Sequence, residues 1–470
     1  MWLGRGATSS DREAGSEAPS AQRADGGAAA GGQPWQAEAN DGPRPGEVIR
    51  TLTAGQDLII VTQRDVTSID RRTGEKNWNT GVANLDNPQG KAAFCGASTT
   101  AANGVIAVAA GWDPKAKEGG RYRPTCGLVS LLDLETGKLG ATVQVAYTEG
   151  AGSVPVNGVP VEIIGDTVVA AWNSTIFGLN LADLSTRWNY QLEQGPGRKG
   201  QSCRITDMAL GESDRVVVAM STCTRQWSAD VTRYVDEVDV AGRPLRNHQF
   251  SDEETRTEIA SLEMVSASPL VVSVYPGVKV KGQVGSLVTL GGDSWQVQNV
   301  IHDERTKHER PNDEAFTMVS IGWDSRVGTY RVPNRTLVSD ETLVSFTPPN
   351  RGKPNALVVV DLSSGKELWT SPAPAGTVYW QVLAIEDDAV VALAADTDNK
   401  ARGLHVVRVD RKTGKVIDRE TTEVQTPTGG RVVVQFYGFV YADKRAYGVE
   451  FQHAGEKGGD LPSWLAFSVG

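Results

Sequence analysis

Short β-branched runs broken by turn residues, an Asp-to-Trp unit that recurs along the chain, and the lack of a sustained 3.6-residue apolar period predict an all-β fold. The expected arrangement is an eight-bladed β-propeller of four-stranded antiparallel blades behind a disordered N-terminal tail, with seven blades as the alternative count. Gly is abundant at 51 residues and aromatics make up only 7%, as suits many short strands joined by turns.

The recurring unit is clearest in Ser68-Ile-Asp70-Arg-Arg-Thr73-Gly74-Glu-Lys-Asn-Trp78 and in Val359-Val-Asp361-Leu-Ser-Ser364-Gly365-Lys-Glu-Leu-Trp369, which share Asp, Gly and Trp at the same offsets. Weaker copies run from Asp133 to Gly137 and from Asp410 to Gly414, with Ala141 and Asp418 in the Trp position. Asn180 and Trp188 keep the outer spacing with Leu184 in place of Gly, and Asp239-Val-Ala-Gly242 is one residue shorter. The 122 residues between Asp239 and Asp361 leave room for one further unit, supplied by Ser286–Leu290, a tight turn at Gly291-Gly-Asp293, and a strand opening at Trp295.

Each element of the unit has a physical role. The Asp or Asn carboxyl or amide end accepts from the turn amides, and Gly takes the positive-φ position. Trp lies on the outer strand, where blades diverge and a bulky ring fills the gap. Val432–Tyr441, Ala446–Phe451 and Trp464–Val469 form a last set that ends one strand short. A strand from between about Pro34 and Pro45 would complete it and close the ring without an open edge.

Domain limits follow: residues 1–45 form a polar, Gly/Ala/Ser-rich linker and 46–470 the propeller. The apolar pair at Trp2 and Leu3 is expected to be the stub of a signal or membrane anchor, the alternative being a disordered tail on a cytoplasmic protein. No window of 18 apolar residues exists within the chain itself. Cys95, Cys126, Cys203 and Cys223 allow three pairings, of which the sequential one brackets an apolar hairpin each time. Two bridges would imply an extracytoplasmic setting, whereas four buried thiols would not.

The Asp-x-x-Thr-Gly-x-x-x-Trp tail at residues 70–78, and its counterpart at 361–369, resembles the repeat of pyrroloquinoline-quinone-type propellers, a group that includes BamB-like envelope lipoproteins. The resemblance covers about residues 46–470 and implies the blade, while most members with this repeat bind no quinone. Quinone-dependent members carry an adjacent cysteine pair and a calcium site, and neither can be placed here. Only the turn and docking residues carry over: Asp70, Gly74, Trp78, Asp133, Gly137, Asn180, Trp188, Asp239, Gly242, Trp295, Asp361, Gly365, Trp369, Asp410 and Gly414.

A formal net charge of −10 without clustered Lys and Arg argues against nucleic acid. Gly195-Pro-Gly197-Arg-Lys-Gly200 matches a dinucleotide fingerprint but opens no helix, and reads as a blade connection. The run from His302 to Arg310 holds two His and three acids without metal-ligand spacing, and reads as a solvated loop. Two long loops are the candidate binding surfaces: residues 300–332, with Trp323, Arg326 and Tyr330, and residues 112–124, with Lys115, Lys117, Arg121, Tyr122 and Arg123.

The expected function is therefore binding or scaffolding at the cell envelope, by a monomer with no cofactor, no metal and no catalysis, through loops on one face of the ring. A ligand-sensing domain of a membrane signalling protein is one alternative and a quinoprotein dehydrogenase another.

Overall fold

A computed structural model describes residues 34–38, 48–85, 91–113, 125–145, 160–211, 216–225, 231–256, 259–276, 286–302, 336–339, 341–346, 355–396, 403–423, 435–452 and 463–469. Among them lie eight antiparallel four-stranded sheets.

Blade I is β2 (Val48–Ala54), β3 (Asp57–Thr62), β4 (Asp65–Asp70) and β5 (Lys76–Gly81). Blade II is β6 (Lys91–Ala97), β7 (Val105–Asp113), β8 (Thr125–Asp133) and β9 (Leu139–Gln144). Blade III is β10 (Val161–Ile164), β11 (Thr167–Trp172), β12 (Thr175–Asn180) and β13 (Thr186–Gln191). Blade IV is β14 (Gln201–Leu210), β15 (Val216–Arg225), β16 (Val231–Asp239) and β17 (Pro244–Phe250).

Blade V is β18 (Ile259–Ala267), β19 (Leu270–Pro276), β20 (Ser286–Gly291) and β21 (Gln296–His302). Blade VI is β22 (Leu337–Val338), β23 (Thr342–Phe346), β24 (Ala356–Asp361) and β25 (Glu367–Pro372). Blade VII is β26 (Thr377–Ile385), β27 (Ala389–Asp396), β28 (Gly403–Asp410) and β29 (Val416–Glu423). Blade VIII takes β30 (Gln435–Ala442), β31 (Arg445–Gln452) and β32 (Ser463–Val469) from the C-terminal end and β1 (Gln36–Glu38) from the N-terminal end.

The ring closes at eight blades, the first of the two counts that the repeat allowed. Glu38 pairs with Leu465 and Gln36 with Phe467, so an early strand covers an edge that would otherwise be open. This strand falls inside the stretch assigned by composition to the linker, and the propeller accordingly begins at Pro34. Helix is confined, among the described residues, to two 3-10 turns and the single turn α1 (Asp252–Thr255), capped by Ser251 and Glu254.

First strands of successive blades touch all the way round, from β2 through β6, β10, β14, β18, β22 and β26 to β30 and back. The apolar core is split into eight clusters, one per seam between neighbouring blades. Second and third strands are apolar on both faces because each face meets a different neighbour: in β3, Ile59 and Val61 pack toward blade II while Leu58 and Ile60 pack toward blade VIII.

Both cysteine pairs are bridged in sequential order, and no free cysteine remains. Cys95 on β6 and Cys126 on β8 lie at β-bulges on either side of β7, with Cα atoms 6.2 Å apart. Cys203 and Cys223 face each other directly across β14 and β15, with Cα atoms 4.0 Å apart. Each closed loop stabilises by roughly 3 kcal/mol on the chain-entropy account.

Candidate functional site

Turn chemistry sets the outer rim. Asp70 Oδ1 accepts from the Arg72 and Thr73 amides, both at 2.8 Å, and Gly74 follows at φ +76°. The same clasp holds Asp133 with Thr136, Asp361 with Ser364, Asp410 with Thr413, and Asp239 with Ala241 and Arg243. Asn180 does the same with the Ala182 amide. Hydrogen bonds from the Thr136, Ser364 and Thr413 hydroxyls hold the Asp133, Asp361 and Asp410 carboxyls below the usual carboxylate range.

These turns receive the outer-strand tryptophans of the preceding blade. Trp78 lies flat on Gly137, where a Cβ would sit 2.5 Å from the ring, and its Nε1 donates to the Leu134 carbonyl at 3.0 Å. Trp188 covers Gly242 and donates to Val240, Trp369 covers Gly414 and donates to Arg411, and Trp35 covers Gly74 and donates to Arg71. Each time the acceptor is the residue just after the turn Asp. Trp35, next to β1, therefore docks blade VIII onto blade I by the same device as the other seams.

Three further seams solve the packing differently. Blade II offers Ala141 where the ring should be, and blade III answers with Leu184 at the glycine position, at φ +57° and 1% exposed, packed with Val143. Between blades IV and V the roles are exchanged: the donor is Arg246 and the ring belongs to the receiving turn. The sequence expectation that Trp295 opens a strand is corrected here. Trp295 occupies the glycine position at φ +48° and is 3% exposed, with Arg246 4.8 Å above its ring and β21 starting one residue later. Burial of the indole outweighs the backbone strain at that position. In the next seam Asn299 donates to the Leu362 carbonyl over Gly365.

Charged groups buried within the ring are the chemical novelty, and sequence reading missed them. On the first strands, Glu162 (β10) feels the charges of Arg50 (β2) and Asp207 (β14), on blades III, I and IV. Glu162 is 3% exposed, and its Oε2 accepts from the Thr99 amide at 2.7 Å and the Thr99 hydroxyl at 2.6 Å. Burial pushes its carboxyl above the ordinary range, Arg50 and Thr99 draw it back, and Asp207 adds to the rise.

A second buried group pins the connection that sequence read as Gly-rich. Arg198, wholly buried, meets both Asp236 oxygens at 2.8 and 2.7 Å, donates to the Leu192 carbonyl and stacks 4.1 Å from the Tyr234 ring centroid. Burial, and then the Asp236 charge, pushes the neighbouring Tyr190 hydroxyl up to about 12. The loop residues Trp323, Arg326 and Tyr330, the basic stretch 114–124 and residues 303–310 lie outside the described residues. Among the described residues, no group of His, Cys, Asp and Glu is arranged to hold a metal ion, and no helix is long and apolar enough to cross a membrane.

A signal for the buried charges does exist in the sequence. Glu162 in Val-Glu-Ile-Ile, Asp236 in Tyr-Val-Asp-Glu-Val and His405 in Leu-His-Val-Val each interrupt an apolar strand, and a lone charge there must be paired or neutralised. Their partners are distant in sequence and could not be named from it.

No family model matches the chain, and no curated protein does. Solved structures with a similar fold include a quinohemoprotein alcohol dehydrogenase from Pseudomonas putida HK5, 11% identical, with 93% of this chain and 76% of that chain covered and a TM-score of 0.43. The hydrazine synthase of Kuenenia stuttgartiensis is 14% identical over 75% of this chain and 93% of that one, with a TM-score of 0.41. The WD40 domain of SCAP from fission yeast is 8% identical over 81% and 96%, with a TM-score of 0.37. At these levels the likenesses assign no activity, ligand or location to this chain.

Proposed function

We propose that the protein works by binding rather than by turnover, as a scaffold in an oxidising, extracytoplasmic compartment at the cell envelope. It engages a protein or envelope ligand through loops on one face of the ring. The observation that carries this reading is the pair of disulfides in blades II and IV, a cross-link that persists where thiols are not kept reduced. Dry seams and a ring closed by β1 support it, because they hold loops on a rigid frame.

Two measurements test it. Protein isolated from its native cell with thiols trapped at lysis is expected to show no reactive thiol in denaturant, and four would remove the oxidising compartment. Affinity capture from envelope extract, with the full chain against a variant lacking residues 303–335, is expected to enrich one partner only with the full chain. Saturable quinone binding with calcium and dye reduction would instead establish dehydrogenase turnover.

A further inference from the structure

At the seam of blades VI and VII, away from the Trp369 dock, three side chains form a hydrogen-bonded line. His405 Nε2 lies 2.8 Å from Asp396 Oδ1, and His405 Nδ1 lies 2.9 Å from the Thr421 hydroxyl. The strand register produces the line: His405 on β28 is flanked by Ala394 of β27 and Thr421 of β29, and Asp396 follows Ala394 by two residues on the same face. Asp396 is further fixed by the Gly403 amide at 2.9 Å, and hydrogen bonds from His405 and Gly403 overcome its burial penalty to keep it below the usual carboxylate range.

An ionised Asp396 makes Nε2 the protonated nitrogen, which leaves the Nδ1 lone pair to accept from the Thr421 hydroxyl. The imidazole is 2% exposed and so held in one orientation, while Thr421 is open to solvent. Arg419, exposed on the same face of β29, places Nη2 2.9 Å from His405 Nε2 and 3.1 Å from Nδ1; with Nε2 donating to Asp396, the guanidinium can donate only to Nδ1, where it competes with the Thr421 hydroxyl and must swing aside for Nδ1 to act as a base. This is the order of roles in hydroxyl–imidazole–carboxylate triads: hydroxyl nucleophile, imidazole base, orienting carboxylate.

We propose that Thr421 is a base-activated acyl acceptor, a covalent modification site for activated esters and thioesters on the outer strand of blade VII. Oγ1 attacks the acyl carbon, its proton passes to His405 Nδ1, the bond to the alcohol or thiol breaks, and the leaving group takes the proton. One ester or thioester and one threonine become one acyl-threonine and one alcohol or thiol, with no oxidant or reductant. Asp396 is a positioning residue, acting through His405. The inference stands apart from the binding role and from the compartment proposed above.

Three other exposed threonines serve as internal controls, since the hydroxyls of Thr73, Thr136 and Thr413 bond to Asp carboxylates without an imidazole. The full chain is incubated with 4-nitrophenyl acetate, and acetylation at each threonine is followed by peptide mass spectrometry. Thr421 is expected to react about 100-fold faster than Thr413, the usual gain from a positioned base. Thr421→Ser keeps the label and Thr421→Val abolishes it. Asp396→Asn and His405→Gln reduce labelling at position 421 toward that of Thr413, Asp396→Glu restores part of it, and the Thr413 rate stays unchanged in all. Equal rates at Thr421 and Thr413, or a Thr421 rate indifferent to Asp396→Asn in a protein with the wild-type circular dichroism spectrum, would overturn the proposal.

Discussion

At the scale of single residues, buried charge governs what can be changed. Glu162 has a carboxyl pushed above its ordinary value of 4.5, so the folded state binds that proton more tightly than the unfolded chain does. Stability from this group is therefore full below about pH 4.5 and declines as pH rises through the folded-state value. Glu162→Gln does not titrate. The melting temperature of the wild type is expected to fall relative to Glu162→Gln as pH rises from 4 toward 7, and a constant gap would show that the side chain is solvated. Arg198 poses the opposite case, since its removal strands Asp236 in a dry site. Arg198→Met is expected to cost about 3–5 kcal/mol in denaturant unfolding, and the double variant Arg198→Met with Asp236→Leu to recover much of it.

At the scale of elements, each seam is a matched pair contributed by two blades. Leu184 stands at the glycine position of blade III, opposite a blade II that carries Ala141 at the Trp position, so Leu184→Gly alone opens a cavity worth about 2–4 kcal/mol, offset by about 1 kcal/mol from relief of a positive φ. Ala141→Trp alone drives a ring into Leu184. The double variant rebuilds the pair seen at Trp78 and Gly137, and is expected to be more stable than either single one. Additive losses in a double-mutant cycle would refute the matching. Sequence reading identified the Asp, Gly and Trp turn as a docking unit but not the exchange at Arg246 and Trp295. One unit can be recognised by its repeat, whereas a compensation is visible only when the neighbouring blade lies against it.

For the whole molecule, closure is the weakest point in chain terms, because β1 contributes only Gln36–Glu38 yet covers the edge of β32. Its hold is the Trp35 ring on Gly74 and the hydrogen bonds between Trp35 and Ser468. A chain starting at residue 39, compared with one starting at Pro34, is expected to lose roughly 4 kcal/mol from one ring and a few hydrogen bonds. An uncovered β32 edge should also promote association, read as a shift in light scattering. Equal melting and equal mass for the two chains would show that blade VIII stands on three strands.

Periodicity determined the blade and its turn clasp, because turn chemistry and alternation are local properties written in neighbouring residues, whereas the choice between eight and seven blades fell to the pairing of β1 with β32. Sequential cysteine pairing was also favoured by the sequence, as each pair brackets a hairpin. Only the tertiary structure decided which distant groups meet: Glu162 against Thr99, Arg198 against Asp236, and Asp396, His405 and Thr421 in line. Those contacts join positions far apart in the chain, such as Thr99 and Glu162, 63 residues apart. Their energy depends on burial and distance, which no local pattern encodes.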